Sequence, residues 1–316
     1  MRVLNALGFP CAVKNPNSIY LGLMGGVGDL VLASPTIKAL KNKYPGAKLT
    51  LGTQPGIFYD IMANHPNIDK FDTSFFKWPP TKNIRKLFFN KKDLLIKKIK
   101  YDLVYFLDGI LYENPELENV LHMNDLFSKY CNVTIKDKQP TVYLNSEDIL
   151  LAKEALKKCG IEEHEKFITI GPQTRSMKNV RQWPYDKFQQ LIKRIKERWN
   201  FKILICGDPN SLEEYPGAIV IRDKQPIRET AFIISKSTLY IGCDSGLTHV
   251  AGAFDIPIIS INIGLSPITF GVMSPRATII SPSTFIWKAR KNTSFHIQDE
   301  IHVDRVFEEV EKIKFK

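Results

Sequence analysis

Cysteine is scarce and scattered: Cys11, Cys131, Cys159, Cys206 and Cys243 stand far apart, with no CxxC pair. That spacing suggests neither a zinc site nor a disulfide framework, and most of these thiols read as small buried apolar residues. No apolar run approaches the roughly 18 residues that a membrane span needs. The opening stretch "MRVLNALGFPCAVKNPN" is too short and too interrupted for a secretory signal, so the cytosol is the expected compartment. Phosphate-binding fingerprints are missing too. "GGVGDL" (25–30) is neither GxGxxG nor a glycine loop closed by Lys and Ser or Thr. There is no Asp-x-Asp pair to chelate a divalent ion on a nucleotide, and His65, His122, His164, His249, His296 and His302 form no ligand cluster. No metal and no cofactor are expected.

Acid, by contrast, is outweighed: 44 Lys and Arg face 33 Asp and Glu, a formal net charge of +11. Such a surface favours anionic partners, among them nucleotides, phosphorylated glycolipids, an anionic membrane face and nucleic acid. Much of the excess is Lys on solvent faces, as in "FFNKKDLLIKKIKY" (88–101), so charge alone does not choose among them.

Two α/β halves follow from the pattern of apolar runs. "SIYLGLM" (18–24) is almost wholly apolar, as a strand buried on both faces should be. Helical spacing then runs from Leu30 to Lys43 and stops at Tyr44-Pro45-Gly46. "AKLTLGT" (47–53) and "YDLVYFLD" (101–108) read as strands, with a short helix in "PGIFYDIMANHP" (55–66). After a polar helix in "NSEDILLAKEALKKCGI" (145–161) the pattern restarts. "KFITIGP" (166–172), "FKILICG" (201–207), "TLYIGCD" (238–244) and "PIISINIG" (257–264) are strands; 183–199, 226–236 and 245–254 are helical. This succession predicts mostly parallel sheets covered by helices, in two domains, 1–155 and 156–316, with the last helix (303–315) placed to pack back on the first.

Three stretches carry chemistry. In the first, Gly25, Gly26 and Gly28 permit a sharp turn and a close approach, and Asp29 stands where the helix should begin. Asp29 is either the N-cap of that helix or a base facing a hydroxyl, since parallel α/β proteins place their sites at the ends of strands. In "GPQTRSMKNVRQWP" (171–184), Arg175, Lys178 and Arg181 precede a helix opened by Trp183-Pro184. Three cations in seven residues would neutralise a diphosphate, or form an exposed basic loop. In "YIGCDSGLTHVAGAF" (240–254) a strand ends in Asp244 and Ser245-Gly246-Leu247-Thr248 starts a helix whose N–H groups favour an anion. Asp244 either caps that helix or binds a sugar hydroxyl. His249, one turn in, either packs and hydrogen-bonds inside or touches the donor.

These three stretches, in order over roughly residues 18–270, resemble glycosyltransferase family 9, the ADP-heptose:lipopolysaccharide heptosyltransferases. "GDLVLASPTIKALKNKYPGAKLTL" is similar to the family's N-terminal motif, "RQWPYDKFQQLIKRI" to its Lys-x-Trp-Pro segment, and "CDSGLTHVAGAFDIPIISI" to its Asp-(Ser/Thr)-Gly-(Leu)-(Thr/Ser)-His signature. The resemblance implies a GT-B fold, two Rossmann-like domains with parallel sheets facing across a central cleft, and an inverting, metal-independent sugar transfer. It implies that Asp29 is the general base, that Arg181 occupies the diphosphate-binding lysine position with Lys178 and Arg175 beside it, and that Asp244, with His249, lies on the donor-sugar side. It further implies donor phosphate contacts at Ser245, Gly246, Leu247 and Thr248, and a donor-side role for Glu229.

The partners implied are a nucleotide-sugar donor, an anionic glycan or glycolipid acceptor such as a lipopolysaccharide core, and peripheral contact with the inner membrane face. A nucleic-acid acceptor, as in modified phage DNA, and a non-catalytic nucleotide- or glycan-binding protein are the alternatives. Arg replaces Lys at 181, "NIGLSP" (262–267) departs from the family's Phe-Gly-Pro-Thr-type loop, and residues 68–140 match nothing in the motif set.

Overall fold

The computed structural model describes residues 13–74, 91–175, 178–208, 210, 213–221, 225–282 and 300–315. It divides into two compact units, Met1–Lys138 and Gln139–Lys316. The division falls earlier than the expected 155/156. The reason is α4 (Ser146–Lys158), which packs on α6 (Ile227–Lys236), a helix of the second unit.

The first unit holds a parallel sheet in the order β3-β2-β1-β4, with β1 Ser18–Gly22, β2 Lys48–Gly52, β3 Lys70–Asp72 and β4 Leu103–Phe106. Ile19, Tyr20 and Leu21 are all fully buried, as the unalternating apolar run requires. Helix α1 (Val27–Lys43) follows β1 and is buried over most of its surface, from Gly28 to Leu40. It contains Pro35, which cannot donate to the Val31 carbonyl one turn back. The Ser34 hydroxyl donates to that carbonyl instead, at 2.7 Å. Helix α2 (Lys91–Lys100) leads into β4, and α3 (Met123–Tyr130) packs on α1.

The second unit holds a parallel sheet in the order β10-β9-β8-β5-β6-β7. Its strands are β5 Phe167–Gly171, β6 Lys202–Ile205, β7 Ile219–Val220, β8 Leu239–Cys243, β9 Ile258–Ile261 and β10 Ala277–Ile280. Helix α5 (Tyr185–Trp199) buries Phe188, Leu191, Ile192 and Ile195 at three- and four-residue spacing. Helix α7 (Gly246–Gly252) follows β8, and α8 (Val303–Glu311) follows β10. Helix α8 lays Val306, Phe307 and Val310 into the core that α5 covers.

Each sheet reverses its strand order once. In the first unit the chain runs outward from β1 through β2 and β3, then returns to the other side of β1 as β4. In the second it runs from β5 through β6 and β7, then returns beside β5 as β8. The carboxyl ends of β1 and β4, and of β5 and β8, are therefore the switch points at which open α/β sheets bind ligands.

Candidate functional site

At the first switch point, β1 is tied to both neighbours. The Leu23 N–H donates to Gly52 O at 2.8 Å, and the Leu107 N–H to Gly22 O at 2.9 Å. The loop beyond is held by side chains. Gln54 Nε2 donates to the Met24 carbonyl at 2.5 Å, and the Met24 N–H donates to Asp108 Oδ2 at 2.7 Å. The Gly26 N–H donates to Asp29 Oδ2 at 2.6 Å.

Asp29 is not the N-cap. Gly26 takes that place, and Asp29, third residue of α1, reaches back to it as the acidic half of a capping box. The glycines also serve a different end from the expected turn. Gly26 has φ −65°, open to any residue. Gly25 is required by proximity: a methyl carbon on it would lie 2.5 Å from Asp29 Oδ2 and 2.7 Å from Asp29 Cγ. Gly28 is buried in the first helical turn.

Asp108 was read only as the end of an apolar strand. Burial pushes its carboxyl up, the Met24 N–H pulls it down, and the nearby Asp29 charge adds to the rise; the balance stands at about 7. The sequence did carry a signal, because "YDLVYFLD" ends in an acid as "TLYIGCD" does, and only the second ending was weighed.

At the second switch point the chain leaves β5, and a single helical turn, Lys178–Arg181, carries Arg181 inward. Arg181 Nη2 donates to the Asp244 carbonyl at 2.8 Å and to Asp244 Oδ2 at 2.9 Å. His249 Nε2 lies 3.5 Å from Asp244 Oδ1. Asp244 is 2% exposed. Burial works to raise its carboxyl, but the His249 hydrogen bond and the Arg181 charge hold it below the ordinary carboxylate range.

Two neighbours fix this arrangement. Trp183, fully buried, donates its backbone N–H to Cys243 Sγ at 3.3 Å and its indole N–H to Ile301 O at 3.0 Å. Gly264, at φ +82°, backs the same turn; a methyl carbon there would lie 2.7 Å from Val180 Cγ1. The "GLSP" departure therefore supports the Arg181 turn from below.

The other expected residues fall into distinct places. Arg175 and Lys178 are exposed, so Arg181 alone of the three cations turns inward. Ser245, not Asp244, caps α7. Ser245, Gly246 and Leu247 are half-exposed. Thr248 is 1% exposed and donates its hydroxyl to the Cys243 carbonyl, so its side chain is part of the scaffold. Glu229 is buried on α6 beside the Arg228–Asp148 ion pair, with its carboxyl raised by burial and by Asp148; it belongs to the α4–α6 contact rather than to the Asp244 cluster. Cys131, Cys206 and Cys243 are buried free thiols, Cys159 is partly buried, and Cys11 and His296 lie outside the described residues. Among the described residues no helix is long and apolar enough to cross a membrane.

The description glycosyltransferase family 9 (heptosyltransferase) matches residues 102–296, more than half of the chain. The chain belongs to glycosyltransferase family 9. Lipopolysaccharide heptosyltransferase 3 of Escherichia coli (strain K12) is 23% identical over 281 residues, covering 74% of this chain and 79% of that protein. The glycosyl transferase family 9 crystal structure from Veillonella parvula DSM 2008 is similar with a TM-score of 0.74 at 16% identity, over 96% of this chain and 98% of that one. E. coli ADP-heptose lps heptosyltransferase II gives a TM-score of 0.63 at 15% identity, over 93% and 97%. These likenesses of shape agree with the GT-B class of two Rossmann-like units. The family-9 match includes Asp108, Arg181 and Asp244, whereas Gly25 to Asp29 precede it.

Proposed function

We propose that this family-9 glycosyltransferase moves a heptose from ADP-heptose to a hydroxyl of a lipopolysaccharide core, with inversion and without a metal ion, at the cytoplasmic face of the inner membrane. The names of its relatives support the donor and acceptor class, and the excess of basic residues suits a phosphorylated acceptor.

The observation that carries the chemistry is the separation of charge between the two switch points. In the first unit, Asp29 is a half-buried carboxylate oriented by a backbone N–H. It takes the proton of the acceptor hydroxyl as that oxygen bonds to the anomeric carbon. The bond from that carbon to the diphosphate breaks, and ADP leaves with the electron pair. In the second unit, Arg181 meets the growing negative charge, with Ser245, Gly246 and Leu247 lining the phosphates.

Asp244, too buried to reach a sugar hydroxyl directly, acts by holding Arg181. Lys178 and Arg175 stand ready at the rim for the outer phosphate, with His249 supporting Asp244.

A thermal-shift screen of nucleotide sugars tests the donor. ADP-heptose is expected to give the largest rise in melting temperature, undiminished by EDTA. A larger rise with a UDP- or GDP-sugar, or a rise that requires Mg²⁺, contradicts the reading.

A further inference from the structure

We propose that Asp108 is a positioning residue for the acceptor-side base, holding from β4 the loop against which Asp29 is set. The inference rests on Asp29 being that base. Asp108 takes the N–H of Met24, at 2.7 Å, and faces that of Gly25. Asp29 takes the N–H of Gly26, at 2.6 Å. Two backbone donors of one loop are thus divided between two carboxylates on two different elements. Gln54 closes the arrangement by donating to the Met24 carbonyl.

Contact passes the constraint on. Gly25 packs so closely on Asp29 that even a methyl group would not fit between them. By fixing Met24, Asp108 therefore sets the next residue, Gly25, against which Asp29 packs. Charge adds a second link. The groups that face Asp108 are the Met24 and Gly25 N–H groups of the loop, its own N–H, and the Asp29 carboxylate of α1. The Asp29 charge is part of what keeps the proton on Asp108 up to about 7, so just below that pH Asp108 sits protonated beside an ionised Asp29.

The test uses the full chain and needs no acceptor. Asp108→Ala removes the hydrogen-bond acceptor and the charge, while Asp108→Asn keeps an oxygen and loses the charge. Amide hydrogen exchange at Met24 and Gly25 reads the loop, and ¹³C-labelled aspartate carboxyl signals read the titration of Asp108. Exchange in Asp108→Ala is expected to rise about tenfold, the effect of roughly one lost hydrogen bond, and Asp108→Asn should restore much of the protection. Asp108 in an Asp29→Asn variant should titrate at lower pH than in the parent, because the facing charge is gone.

Unchanged exchange in Asp108→Ala, or an unmoved Asp108 titration in Asp29→Asn, overturns the proposal. If Asp108→Ala does not fold, the Asp108 titration in Asp29→Asn decides. An Asp29→Asn variant with full transferase activity would remove the base assignment and leave the exchange result intact, so the two failures are separable.

Discussion

In each unit a buried tyrosine of an inner strand lies over the last glycine of a neighbouring strand. Tyr20 covers Gly52 and Tyr240 covers Gly171; a methyl carbon on either glycine would lie 2.1 Å or 2.2 Å from the phenol oxygen. Both units thus use the same residue pair between neighbouring strands. They differ in what surrounds it. In the first unit, Asp29 and Asp108 are held by backbone N–H groups, which orient a carboxylate without cancelling its charge. In the second, Asp244 is met by a guanidinium and an imidazole. One architecture therefore presents N–H-held carboxylates in one unit and a braced cation in the other. The difference lies in the few residues after each strand and not in the strands themselves.

The sharpest way to break this comparison is to remove the base. Asp29→Ala should lower transfer by about 10²–10⁴-fold, the range for a positioned general base, as read by product formation at saturating donor. Next comes the brace. Arg181→Ala leaves a buried carboxylate without its guanidinium and should cost about 3–5 kcal/mol in denaturant unfolding, along with donor binding. Arg181→Lys should recover part of both, because Lys keeps the charge and loses the paired geometry.

Acid separates the units by a smaller margin. His65 in the first unit is buried, accepts the Asn67 N–H at Nδ1, and is pushed down to about 4 by burial. Its folded value lies below its unfolded one, so its contribution is intact above pH 6.5 and is lost as pH falls toward 4, by roughly 3 kcal/mol. Asp108 works in the opposite sense: raised to about 7, it favours the folded state at low pH and loses that contribution as pH rises through 7. The two nearly offset each other in the parent protein. Asp108→Asn should expose the His65 loss as a fall in stability between pH 6.5 and 4, absent from the His65→Asn, Asp108→Asn double variant. Asp244 in the second unit, held below the ordinary carboxylate range, keeps its contribution through that window and loses it only at lower pH.

The smallest effect sharpens the comparison at the loop. Gly25→Ala should displace Asp29 and cost about 1–3 kcal/mol in stability, as overpacking does, whereas Gly26→Ala should be milder. Gly26 has an ordinary φ, and a methyl carbon there would sit 3.5 Å from the carboxylate. Thermal melts of the two variants compare them directly.

Much of the fold was legible because parallel strands buried on both faces write themselves as apolar runs, as β1, β2, β5, β6, β8 and β9 do, and the half-buried edge strand β4 is apolar as well. The strands that escaped, Lys70–Asp72, Ile219–Val220 and Ala277–Ile280, are sheet edges or short additions with no such run. The places of Asp29 at the start of α1 and of Arg181 before α5 were legible in the sequence. The Arg181–Asp244 pair was not, because its partners stand 63 residues apart and meet only in the folded sheet. Asp108 was hidden for the same reason: its Met24 partner is 84 residues distant.

If donor binding and proton removal reside in different units, Asp29 and Arg181 must fail in different ways. Calorimetric affinity for ADP-heptose and single-turnover transfer should be recorded for Asp29→Asn and Arg181→Ala side by side. Asp29→Asn should bind within about twofold of the parent while losing transfer, and Arg181→Ala should lose binding itself. An Asp29→Asn enzyme that transfers at the parent rate, or that fails to bind while Arg181→Ala binds normally, would contradict that separation.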